Sequence, residues 1–303
     1  MLKVIDSHVH FWEPEYLRYA WFDDLPPLNR AYRPEHVPAQ GTSWKVDALV
    51  FVQADCAAGQ GLLEVDWVTS LGAGDPRIRG IVAFAPLEKG RGARPILEEL
   101  SQRPLVKGVR RLIQSEPPGF SVQPDFVLGV QLLAEYDLSF DLCIRHFQMP
   151  EVVRLVRQCP GVSFVLDHVG KPDIKRGLRD PWRKDLAELA SLPNVRCKLS
   201  GLVTEADRQR WKTADLEPYI DHVLQVFGPD RVMYGSDFPV VTLAATYPQW
   251  AETLLEATQS LSHTEREKLF YQNAAEFYRL ASKRSTLRAG DARSARGQWP
   301  SRP

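Results

Sequence analysis

Eight short runs rich in Val, Ile, Leu and Phe alternate along this chain with stretches that read as helices, and no other feature constrains the fold as strongly. The runs cover residues 3–7, 47–53, 79–85, 106–113, 138–144, 162–167, 195–200 and 231–235. Each has the length of a strand and the apolar content expected where both faces of a parallel sheet are buried. Between and after them, helical stretches are expected at 61–71, 94–102, 124–136, 149–158, 181–190, 215–227, 247–260 and 264–281. In the last, Leu269, Phe270, Ala274, Phe277 and Leu280 recur close to the helical period. Eight strand–helix units without a composition break predict an α/β fold: a single (β/α)8 TIM-type barrel over residues 1–281. Residues 12–45 are too long for a simple connection and form an insertion after the first strand. With Trp12, Tyr16, Tyr19, Trp21 and Phe22, it is either a lid or pocket wall at the barrel mouth or a surface segment packed by its own aromatics. From residue 282 the chain carries six basic residues against Asp291 and no apolar period, which predicts a flexible basic C-terminal tail at 282–303.

Composition narrows the function. Lys and Arg total 38 and so do Asp and Glu, so the chain lacks the concentrated basic charge that nucleic acid requires. No apolar run approaches the ~18 residues of a membrane span. The N-terminus reaches Asp6, His8 and His10 before any signal-peptide core, and four scattered cysteines read as reduced thiols. A cytoplasmic protein acting on a small molecule, with no nucleic-acid or membrane partner, is the expectation.

The chemistry gathers at strand ends. His8 and His10 close the first strand two residues apart, so both imidazoles project to one face. In a barrel that face opens on the active site, where the pair can hold a divalent metal or orient a substrate oxygen. His168 ends the sixth strand and Asp237 follows the eighth. An Asp facing water between imidazoles can act as general base, while a neighbouring His polarises a carbonyl. Candidate substrate-binding residues are Trp12, Arg110, Arg111, Arg145, Gln148 and Lys171. Guanidinium groups would fork onto carboxylates and Trp12 would stack on a sugar ring. Of Arg110 and Arg111, alternation lets only one face the barrel interior. Asp6 points with the histidine pair and is expected to orient an imidazole, and Glu205 is an accessory acid or a helix-start residue.

Taken in order, the segments DSHVHFW, GVR…QSEP, VLDHVGKP, CKLSGLVTEAD and MYGSDFP resemble the amidohydrolase superfamily. More narrowly, they are similar to its branch of sugar-lactone and pyrone-dicarboxylate lactonases, over about residues 3–280. The resemblance implies a distorted (β/α)8 barrel that hydrolyses a lactone, such as L-fuconolactone or L-rhamnonolactone. It matches His8 and His10 to the first-strand pair, His168 to the sixth-strand His and Asp237 to the eighth-strand acid. Metal-dependent members carry a further His after strand five, where this chain has Arg145, His146 and Gln148. His8, His10 and Asp237 would then hold Zn2+ loosely, with His146 or Glu116 as further candidate ligands, or the histidine pair would orient the lactone without metal. No organic cofactor is expected. A metal-dependent decarboxylase on the same constellation is the alternative activity, and a barrel that only binds a small acid is the non-enzymatic one.

Overall fold

The computed structural model describes residues 1–57 and 59–280. Its eight strands form one parallel sheet in chain order: β1 (Leu2–Val9), β2 (Trp44–Val52), β3 (Ile78–Ala83), β4 (Val106–Val109), β5 (Ser139–Leu142), β6 (Phe164–Leu166), β7 (Val195–Leu199) and β8 (Val232–Tyr234). Each expected run overlaps one of these strands, and a helix follows every strand from β2 onward. Among the described residues β8 shares no ladder with β1. The ring closes one layer higher, where Val9 pairs in parallel with Phe238. There Asp237 N–H donates to the His8 carbonyl at 2.8 Å and His10 N–H to the Phe238 carbonyl at 2.7 Å. Side chains stitch the same seam: Ser7 Oγ donates to the Tyr234 carbonyl at 2.6 Å, and Asp6 Oδ1 accepts from Ser236 N–H at 2.8 Å. The fold is a (β/α)8 barrel.

Strand residues alternate between two apolar layers, as a period of two requires. Val4, Leu49, Phe51, Ile81 and Val109 join the larger core that includes the helices. Ile5, Val50, Val82, Val165 and Met233 form a second cluster with Phe277 and Tyr278 of the C-terminal segment. Proline sets several helix starts: Arg94–Ser101, Pro124–Leu132, Met149–Gln158 and Tyr247–Ala257 each carry one in the first turn, where its missing N–H costs nothing. The single helix expected at 264–281 is instead broken into His263–Glu267, a π turn at Lys268–Gln272 and Asn273–Phe277. Asn273 explains the local need, because its amide donates to the Pro229 and Val232 carbonyls, both at 2.7 Å.

The insertion after β1 fulfils both readings of it. Three short 3-10 turns wrap Trp12, which is fully buried among Tyr19, Trp21, Phe22 and Tyr32. Its indole Nε1 donates to the carbonyls of Leu28 and Arg30 at 3.1 and 2.9 Å. The same segment supplies Trp12, Trp21 and Leu25 to a cavity at the barrel mouth. The basic tail expected at 282–303 lies outside the described residues. No described helix is long and apolar enough to cross a membrane.

Candidate active site

The backbone beyond β6 is unusual. His168, Val169, Gly170 and Lys171 all have positive φ, at 52°, 57°, 73° and 52°, making one left-handed turn. A β-branched residue in that region is strained, so neighbours must hold it. Trp182 Nε1 donates to the Val169 carbonyl at 2.8 Å and Lys171 N–H to the His168 carbonyl at 2.8 Å. The turn points both His168 and Lys171 into the cavity. Gly201 makes room for it, since a Cβ there would sit 2.6 Å from His168 Nδ1. Asp237 has φ 60° and faces the same space from the loop that closes the seam.

These strand ends bring four titratable groups together. Asp237 Oδ1 lies 3.4 Å from His10 Nε2, 3.7 Å from His8 Nε2 and 3.9 Å from His168 Nε2. His10 Nδ1 is 2.7 Å from the Val52 carbonyl, which fixes that nitrogen as the protonated one and leaves Nε2 bare. His168 Nδ1 meets Ser200 Oγ at 2.9 Å. Burial drives His168 down to about 4, more strongly than nearby Asp237 raises it, so its imidazole is neutral at pH 7. Burial alone would raise Asp237, but the imidazoles of His168, His10 and His8 outweigh it and hold the carboxyl below its usual range. The result is an ionised carboxylate faced by three imidazoles. Ligand atoms of His8, His168 and Asp237 lie within 4.8 Å of one another and all three residues are buried, so this set can hold a metal.

The inner cavity, about 420 Å3, is lined by His10, His168 and Asp237 on its floor and opens into a wider one of about 970 Å3. Arg145, Lys171, Thr204, Glu205 and Arg208 line both. The larger space is the vestibule and the smaller one contains the titratable floor. His8 lies one layer below that floor, fully buried, and does not line the cavity.

Trp12, Arg110, Arg145 and Lys171 line the inner cavity as expected positions would. Arg111 and Gln148 do not. Arg111 is the outward member of the adjacent pair and is tied to Glu88 and Glu116 at 3.0 and 2.6 Å, which also removes Glu116 as a ligand. Gln148 folds back on its own loop: its Oε1 accepts from Arg145 N–H and its Nε2 donates to the Ile113 carbonyl, both at 2.9 Å. His146 faces the vestibule, away from the cluster. Asp6 bonds the backbone N–H of His8 and Ser236 rather than an imidazole. The group that does approach an imidazole is Asp167, whose Oδ1 is 3.3 Å from His8 Nδ1. Also unforeseen are Gln114, which accepts from Lys171 Nζ at 2.5 Å, Ser200, and the buried pair Lys198–Asp141. Two of them had a visible signal: Asp141 and Lys198 are charged residues inside strands expected to be buried on both faces.

This barrel carries a buried His-His-His-Asp cluster at its strand ends, and residues 5–280 match the family model described as Amidohydrolase. The chain belongs to the amidohydrolase family. It is 35% identical over 289 residues to an L-fucono-1,5-lactonase of Burkholderia multivorans, covering 91% of this chain and 96% of that protein. An L-rhamnono-gamma-lactonase of Scheffersomyces stipitis is 25% identical over 333 residues, at 92% and 99% coverage. Among solved structures, an amidohydrolase from Burkholderia multivorans with bound zinc superposes with a TM-score of 0.80 at 33% identity, covering 92% of this chain and 99% of that one.

Proposed function

We propose that this protein hydrolyses the ring ester of a sugar-acid lactone. The observation that carries the reading is the ionised Asp237 within 3.9 Å of three imidazoles on the floor of a cavity sized for one sugar ring. Asp237 takes a proton from water as the water oxygen bonds to the lactone carbonyl carbon. Ser200 Oγ accepts from His168 N–H at 3.3 Å and can give its own proton to His168 Nδ1. His168 then presents Nε2–H to the carbonyl oxygen as negative charge gathers there. When the ring C–O bond breaks, the departing alkoxide recovers the proton from Asp237, giving the open hydroxy acid. Arg145 and Lys171 stand where they can bind the sugar hydroxyls and the new carboxylate, and Trp21 and Leu25 supply apolar area for the ring face, with Trp12 packed behind them. The names and coverage of the lactonase relatives support this choice of substrate class.

The donor types fit a divalent cation such as Zn2+, which His8, His10 and Asp237 would hold, leaving His168 Nε2–H for the carbonyl oxygen. Bound there, it would make a water more acidic and polarise the carbonyl. The test is proton release by purified protein over a panel of sugar-acid lactones, assayed after chelation and after zinc addition. Turnover of L-fucono- or L-rhamnonolactone is expected. Inactivity on every lactone under both conditions, with activity on an aromatic acid releasing carbon dioxide, would sink the reading.

A further inference from the structure

The vestibule above the catalytic floor holds more positive charge than the proposed chemistry uses. Bases and acids are equal in number over the whole chain, and residues 282–303 hold six bases against Asp291. Residues 1–281 therefore carry five more acids than bases. On that acidic barrel, the vestibule is lined by six Lys or Arg side chains and three acidic ones. Two of the acids are engaged along their own loops: Asp173 lies 3.6 Å from Arg176, and Asp207 lies 2.8 Å from Arg210. That leaves Arg145, Lys171, Lys175 and Arg208 with Glu205, four cations to one carboxyl.

Among the described residues none of the four is in an ion pair, and the partner of Lys171 Nζ is the neutral amide of Gln114. Glu205 is half-buried, and burial raises its carboxyl, which weakens it as a counter-charge. Cations gathered around a space of about 970 Å3 repel one another. An anionic ligand would turn that repulsion into attraction and be drawn in by it.

Position says how the anion is attached. Arg145, Lys171 and Arg208 line both cavities, whereas Lys175 lines the vestibule alone. A lactone whose carbonyl lies at His168 and Asp237 has its far end at this junction, because the inner cavity of about 420 Å3 takes one ring. Charge then chooses the substituent. A sulfate ester brings one negative charge, while a phosphate monoester brings nearly two at pH 7 and three acceptor oxygens for guanidinium and ammonium donors. With the carboxylate that ring opening creates, a phosphorylated product carries about −3, opposite to the net charge of the four cations and Glu205.

We infer that Arg145, Lys171, Lys175 and Arg208 form a phosphate subsite, and that the preferred substrate is a sugar-acid lactone phosphorylated at the end remote from its carbonyl. That the phosphate is carried by a lactone rests on the reading of the floor given above; the subsite itself does not. Glu205, the one acid at the junction, is left to accept from a sugar hydroxyl.

The test is calorimetry on the full chain with D-gluconate and 6-phosphogluconate, open sugar acids that differ by the phosphate alone. At low ionic strength 6-phosphogluconate should bind at least about tenfold tighter, the smallest factor associated with one hydrogen bond to a charged group. Equal affinity, or binding of neither, overturns the inference. Lys175→Gln combined with Arg208→Gln, both on the surface, should lose most of the preference. An undiminished preference would place the phosphate elsewhere, for instance on the basic residues after 281, and overturns it too. Glucose 6-phosphate should also bind tighter than glucose 6-sulfate, and the reverse or equality overturns the choice of phosphate. Finally, proton release from glucono-1,5-lactone and its 6-phosphate should show the lower KM for the ester, and equal KM values overturn the inference. If no lactone turns over, the lactonase reading fails, while the calorimetry still decides the subsite.

Discussion

Across the inner cavity, the segment after β1 presents Trp12, Trp21 and Leu25, whereas the loops after β5, β6 and β7 present Arg145, Lys171, Glu205 and Arg208. The two walls are anchored as differently as they are made. Trp12 is part of a packed aromatic group with both its ring and its N–H committed to the fold. The Lys171 ammonium makes one hydrogen bond among the described residues, to Gln114, which itself lines the cavity. An aromatic wall gives a sugar ring apolar area without distinguishing one hydroxyl pattern from another. A charged wall can make that distinction, and its side chains can be exchanged without dismantling a core. Substrate choice should therefore reside on the side of β5 to β7, and stability on the side of the insertion.

The largest effect belongs to the floor that both walls share. Asp237→Asn should lower kcat by ~10² to 10⁴ while leaving KM and Tm nearly unchanged, because the amide has the same size but cannot take a proton from water. Steady-state kinetics on the folded variant decide this, and turnover like the unaltered chain's would remove Asp237 from the reaction. Next comes the aromatic wall. Trp12→Ala should cost about 3–5 kcal/mol of stability, a fall in Tm on the order of 10 °C by calorimetry. On the charged wall, Lys171→Met should raise KM about tenfold, the loss of a hydrogen bond to a charged group, with Tm unmoved. If Lys171→Met melts as early as Trp12→Ala, the contrast between the walls is wrong.

The smallest effect sharpens the contrast from behind. Glu64 is buried under the aromatic side, with one carboxylate oxygen accepting from Ala54 N–H at 3.1 Å and the other unpaired. Burial pushes it up from its ordinary 4.5 to about 8. Between those values the folded chain keeps a proton that the unfolded chain has released. The stability linked to this group is therefore complete below about 4.5 and is lost as pH rises through about 8. Glu64→Gln should melt higher than the unaltered chain at pH 8 to 9, and the gap should close by pH 5. A gap independent of pH would assign the effect to packing instead.

Much of this was legible in the chain. Strands buried on both faces leave an apolar signature that needs no tertiary knowledge, and strand ends carrying His8, His10, His168 and Asp237 mark where a barrel opens. Alternation also foretold that only one of Arg110 and Arg111 would turn inward. What could not be read depends on the path of loops. Gln148 has the chemistry of a substrate contact, but its loop turns the amide back onto backbone groups. Lys198 and Asp141 look like solvated charges unless their strands are recognised as buried on both faces. The left-handed turn at His168–Lys171 leaves only Gly170 as a hint, because its other members rarely adopt that conformation and are held in it by distant partners such as Trp182.

The closure between β8 and β1 makes activity and mechanical integrity a single property. The last link of the ring is the loop that carries Asp237, bonded to the backbone of His8 and His10. Seven junctions are ladders between neighbouring strands, while this one is a clasp made of a single bridge and a few polar stitches. When the clasp opens, the carboxylate leaves the imidazoles in the same motion, before any helix need be lost. Heat inactivation should thus run ahead of helix melting, and a lactone analogue seated on Asp237 should act as a pin through the clasp, delaying both.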